Sequence, residues 1–313
     1  MKTPRLILAL SLCFFVLSCA GGKPVRRPHR HLTEGSRKIE KGLQWYQKGC
    51  YRKSLNYFFR AYELYSASDL EYGVAMSLNN IGTAYRALGN YDRALAFFEE
   101  AQAIYSDSGN REGTVRALSN KAATLIEMGN LDAAEEIIEQ ALTLPSAGKN
   151  AALFTALLQN KGVLLTKRGR YREAEKALKS CLSNASGLEP ADIASLNSAF
   201  GNLMLQAGRP TDAVSAFKKA LVLDRKLGFY RGIADDLFYM GIAFLRLGQK
   251  EKAVNCWKRC VKVFALIDLP EKVQQTMKYL RETAGKAGID IKATEDFLER
   301  WRQGMLYESL CGD

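Results

Sequence analysis

From residue 35 onward, small and large apolar positions recur with one long period. Glycine falls at Gly49, Gly89, Gly129, Gly169, Gly208 and Gly248, every 40 residues and once after 39. Glycine at the end of an apolar-periodic run marks a helix that finishes in the left-handed conformation, where a Cβ would clash. Each of six segments, beginning near Gly35, Ala75, Val115, Thr155, Ala194 and Ala234, therefore predicts an A helix, a glycine turn and a B helix. A further small position lies mid-way along each A helix, at Gly42, Gly82, Ala122, Gly162, Gly201 and Gly241. Glycine there costs about 1 kcal/mol relative to alanine, so its recurrence predicts a second helix packed closely on that spot. Ser54, Ala94, Ala134, Ala174, Ala213 and Ala253 on the B helix receive the same approach. Bulky residues fill the space between, such as Tyr85 and Met204 on A helices and Phe58, Phe98, Phe217 and Trp257 on B helices.

The clearest copy is IGTAYRALGNYDRALAFFEEA, residues 81–101. It resembles the tetratricopeptide repeat (TPR) pattern, Leu-Gly-x2-Tyr followed by Ala-x3-Phe-x2-Ala. The period exceeds the usual 34, and most copies lack the closing proline; longer helices account for both. Repeats of the kinesin light chain type are similar, and their A helices carry a Leu-Asn-Asn run like Leu78-Asn79-Asn80. The resemblance implies an all-α fold, a right-handed superhelical TPR solenoid of about six helix-turn-helix repeats over residues 35–268. Residues 269–313 are expected to form C-terminal capping helices, over 271–283 and from Thr294 to about Glu308, with Thr294 as an N-cap ahead of Glu295 and Asp296.

The N-terminus follows a different pattern. Lys2 and Arg5 precede the apolar run LILALSLCFFVL, residues 6–17. As a helix it rises only about 18 Å, short of a bilayer core of roughly 30 Å, so it reads as an export signal. Val16-Leu17-Ser18-Cys19 resembles the lipobox of bacterial lipoproteins. That resemblance implies cleavage after residue 18, acylation of Cys19 and stable membrane attachment. Ala20, where an aspartate would retain such a protein at the inner membrane, implies the periplasm-facing outer membrane of the cell envelope. Residues 19–34 are expected to be a flexible basic tether containing Lys23, Arg26, Arg27 and Arg30.

The net charge of +12 is uneven. Between residues 149 and 179 eight basic side chains face only Glu173 and Glu175, which marks a basic edge at Arg168, Arg170 and Arg172. The preceding B helix is acidic, with Asp132, Glu135, Glu136 and Glu139. No catalytic constellation emerges: the two histidines, His29 and His31, lie in the tether, so general-base pairings in the repeats lack a partner. Cys256 and Cys260, four apart on one helix, read as core thiols rather than metal ligands, and no metal or cofactor is expected. Cys50, Cys181 and Cys311 are too scattered for a pairing to be assigned, although export would permit oxidation.

Asn80, Asn120 and Asn160 recur at the sixth position of successive A helices, on the face that lines the groove of TPR solenoids. A carboxamide both donates and accepts, so this ladder could grip the backbone of an extended peptide, or it could bond a neighbouring helix within the stack. Asn79, Arg86, Arg116, Gln159 and Lys167 flank it, with Arg116 placed to meet a ligand carboxylate. The expected activity is that of a non-enzymatic, membrane-anchored adaptor whose partner is an envelope protein or peptide segment. The alternative is a binder of an anionic envelope polymer, glycan or lipopolysaccharide, through the basic edge. Neither nucleic acid nor a small-molecule ligand is expected.

Overall fold

A computed structural model describes residues 30–144, 150–305 and 310–311. The export signal, Cys19 and most of the basic tether lie outside the described residues. Fourteen helices are present among them and no strand. Six A/B pairs run in order: α1 (Arg30–Gln47) with α2 (Tyr51–Ser66), α3 (Glu71–Ala87) with α4 (Tyr91–Asp107), α5 (Arg111–Met128) with α6 (Leu131–Thr143). The next are α7 (Ala151–Lys167) with α8 (Tyr171–Ser183), α9 (Pro190–Gln206) with α10 (Pro210–Leu227), and α11 (Tyr230–Arg246) with α12 (Lys250–Leu266). Then come α13 (Pro270–Ala287) and α14 (Lys292–Arg302). None of these helices is long and apolar enough to cross a membrane. The fold is the expected all-α solenoid. Its first helix starts at Arg30, inside the stretch expected to be tether.

All six turn glycines have positive φ, between 74 and 88°. The residue after each donates its N–H to a carbonyl five residues back, as in Asn90 N to Tyr85 O at 2.9 Å, which closes the A helix in a Schellman-type turn. Asp69 and Asp268 adopt the same left-handed conformation at turns between pairs, where Gly109 and Gly228 serve elsewhere.

The mid-helix glycines answer to one contact. A Cβ on Gly82 would stand 2.7 Å from the Phe98 ring, on Gly201 2.7 Å from Phe217, on Gly162 2.6 Å from Leu178, and on Gly241 2.3 Å from the Trp257 indole. Each large B-helix side chain therefore sits in the gap left by a missing methyl group. Phe98, Phe217 and Trp257 are fully buried as a result. Where the A helix carries Ala122 instead, its B-helix counterpart is the smaller Ile138. Packing continues from pair to pair. A helices touch the A helices of the next pair (α3 with α5, α5 with α7, α7 with α9), whereas among the described residues no two B helices of the six pairs pack to that extent. The A helices thus line the tighter, inner radius of the superhelix.

The tail departs from expectation at its last helix. Thr294 is buried within the first turn of α14 and is not its N-cap; Asp290 Oδ1 accepts from Lys292 N at 2.8 Å instead. The helix stops at Arg302 rather than near Glu308, because Gly304 turns left-handed. Both α13 and α14 pack on α12 and cover its apolar face with Val273, Met277, Leu280 and Leu298.

Gly82→Ala should lower the urea midpoint, by about 1–2 kcal/mol of stability, because the Phe98 ring must shift. Gly285→Ala should raise it by up to about 1 kcal/mol, since this helical glycine meets nothing within 4 Å. Circular dichroism along a urea series reads both.

Candidate functional site

The inner face of the A helices carries most of the polar residues singled out in the sequence, and many of them bond to the neighbouring pair. Asn120 Nδ2 donates to Asn79 Oδ1 at 3.0 Å, and Asn160 Nδ2 donates to the backbone oxygen of Ser119 at 2.9 Å and to its hydroxyl at 3.0 Å. Gln159 donates to Ser195 Oγ at 2.7 Å. Asn80 instead turns back on its own helix, to Met76 O at 2.9 Å. Lys167 Nζ reaches Ile126 O at 2.6 Å, and Arg246 makes the equivalent bond to Leu205 O. Those carbonyls belong to the last turn of an A helix, where each also accepts from the N–H of the turn glycine and a cation is favoured by the helix dipole.

The inner face keeps open bonding capacity. Among the described residues, the carbonyl oxygens of the Asn120 and Asn160 side chains make no hydrogen bond. Arg116 stands exposed on α5, one helical turn before Asn120. Arg86 is mostly covered and lies 3.8 Å from the Glu127 carboxylate.

The basic edge is largely matched. Arg168 pairs with Asp132 at 2.5 Å and Glu135 at 2.6 Å, both on α6, the acidic B helix of the preceding pair. Arg170 pairs with Glu173 at 2.6 Å and lies 3.7 Å from Glu135. Its hydrogen bond holds the Glu173 carboxyl below the usual carboxylate range. Arg172 is left exposed.

A polar cluster at the last pairs was not anticipated. On α11, Arg231 bonds Asp235 at 2.6 Å, and its charge lies beside the buried Tyr51 at the start of α2. Next to it, Asp236 is 1% exposed; one oxygen accepts from Ser198 Oγ at 2.6 Å and the other has no partner among the described residues. Burial pushes the Asp236 carboxyl up to about 8, the charges of Asp224 and Asp235 adding to the effect and the Ser198 bond opposing it. Burial likewise pushes Asp224 up to about 6. The register held the signal. Asp224 occupies the slot filled by Tyr65, Tyr105 and Phe264 in other pairs, and Asp236 the slot of Ser77, Ala117 and Leu196.

Tetratricopeptide-repeat profiles match residues 45–107 and 73–147, 155–186 and 237–265. The chain carries tetratricopeptide repeats. No curated protein matches it in sequence. Among solved structures, it is similar to the Rap conjugation gene regulator of plasmid pLS20 in complex with the Phr* peptide. The two share 17% identity over 95% of this chain and 82% of that one, with a TM-score of 0.61. A Rap protein complexed with competence and sporulation factor aligns at 15% identity over 82% of this chain and 76% of the other, TM-score 0.59. The TPR sensor-containing signal transduction ATPase PH0952 of Pyrococcus horikoshii aligns at 16% over 83% of this chain and 47% of its own length, TM-score 0.56. At these identities the likeness is one of fold.

The buried acid gives the TPR stack a pH dependence with a defined sign. Between about 4, the ordinary aspartate value, and 8, folded Asp236 keeps a proton that the unfolded chain has released. Stability therefore falls as pH rises through that window. Asp236→Asn, which mimics the protonated acid, should flatten the fall in urea midpoint between pH 5 and pH 8. Parallel profiles for the two proteins would show that Asp236 does not carry it.

Proposed function

We propose that this chain is a membrane-tethered TPR adaptor of the bacterial cell envelope, binding an extended segment of an envelope protein along its inner wall. The observation that carries this reading is the combination, on one face, of exposed Arg116 with open carboxamide oxygens at Asn120 and Asn160. An extended backbone offers N–H donors every other residue to such oxygens, and a ligand carboxylate suits a guanidinium. The Rap proteins that share the fold were solved with a peptide and with competence and sporulation factor, which supports the reading by analogy of fold. The repeats are read as the long, kinesin-light-chain-like type because of their 39–40-residue period. Attachment rests on Cys19 in its lipobox context, with the outer membrane as the site. The chain is read as a scaffold, not an enzyme.

Binding of an anionic polymer through Arg168, Arg170 and Arg172 is disfavoured, because the first two already hold carboxylates of α6 and α8. Arg116→Glu, which breaks no bond among the described residues, should weaken retention on an array of envelope-protein peptides at least about tenfold, or 1.4 kcal/mol. Arg172→Glu should leave retention unchanged. If both variants bind as the parent does, the inner wall is not the site. For the anchor, mass spectrometry of the N-terminal peptide should find diacylglycerol on Cys19, and Cys19→Ser should move the protein to the soluble fraction.

A further inference from the structure

The superhelix turns far enough for its two ends to meet, and a disulfide joins them. Cys50, in the first A/B turn, bonds Cys311 beyond α14, with Cα atoms 5.2 Å apart across 261 residues of sequence. The pairing left unassigned from sequence is thus present here.

Non-covalent contacts at this junction are few but buried, with Cys50, Tyr51 and Ile267 each no more than 5% exposed. The Gly49 turn rests against Ile267, and Tyr51 reaches Arg231. Among the described residues, no helix of the first two pairs packs extensively along α11 to α14. Between the two ends lies a half-open cleft of about 420 Å³, walled by Leu88, Ile267, Leu269, Trp301 and both half-cystines. Where a cleft replaces packed side chains, their contacts are missing, which leaves the disulfide as the covalent tie between the two ends.

We propose that the Cys50–Cys311 disulfide is a redox latch that holds the TPR superhelix as a closed turn and so governs access to its inner wall. The consequence for access rests on the inner wall being the binding site; the latch itself does not. Opening requires a dithiol. One of its thiolates attacks the more exposed Cys311 sulfur, and Cys50 leaves as a thiolate that takes up a proton. The second thiol of the reductant then displaces Cys311 and forms the reductant's own disulfide, so two electrons pass to the protein. The other described cysteines are poor competitors. Cys181, Cys256 and Cys260 are buried, and burial pushes each thiol up, away from the reactive thiolate.

The test needs no ligand, so its failure is separable from failure of the binding assignment. Full-length protein is mapped for disulfides without reductant, then compared with and without a dithiol by small-angle scattering and hydrogen exchange. The latch predicts a Cys50–Cys311 peptide pair. On reduction it predicts a larger radius of gyration and exchange at least about tenfold faster in α14 and at the Gly49 turn, with helix content unchanged. Cys311→Ser should reproduce the reduced state without dithiol, and it serves if Cys50→Ser, altering a buried turn, fails to fold. Free thiols at both positions, or a bonded pair whose reduction changes neither dimension nor exchange, would overturn the proposal.

Discussion

The contact on which this structure depends is the seating of a large B-helix side chain over a missing methyl group on the A helix. It fixes how closely the two helices of a pair approach, and therefore the angle at which the next pair is presented. Small differences in that distance accumulate along a solenoid, because each pair contacts mainly its neighbours. The same seating recurs with Gly82 under Phe98 and Gly241 under Trp257, positions 159 residues apart. The result is a superhelix regular enough for its ends to coincide.

On the inner wall, polar side chains serve two demands at once. Asn120, Asn160, Gln159 and Lys167 join successive A helices, so part of each side chain is committed to the stack. A carboxamide has more bonding groups than one such bond uses, so the same residue can hold the wall together and still face a ligand. Arg116 makes no such tie, which makes it the cleaner reporter of binding. The cluster around Arg231 belongs to the other demand. It supplies one of the few non-covalent contacts between the first pair and the last, and it carries two buried acids whose protonation links stability to pH.

Features governed by local physics were legible in the sequence: the turn glycines, the mid-helix glycines and the large residues opposite them each follow from one helix or one hairpin. Features set by distances between pairs were not. Asparagine at position six is compatible with either a ligand or the next helix, and only the approach of α3 to α5 and of α5 to α7 shows which bonds form. The basic edge and the acidic helix α6 were each visible, but their pairing through Arg168 depends on the rotation from one repeat to the next. Cys50 and Cys311 looked unrelated because their meeting needs the summed rotation of six pairs. Thr294 was misplaced as a cap for a simpler reason: Asp290 two residues before α14 provides the acceptor, and the threonine turns inward.

The measurement that bears most directly on this account is a hydrogen-exchange footprint of the full-length protein with and without a peptide retained on the envelope-protein array. Binding along the inner wall predicts slower exchange in α3, α5 and α7, the helices carrying Asn80, Arg116, Asn120 and Asn160. Protection confined to α4, α6 and α8 would place the ligand on the outer surface and contradict it.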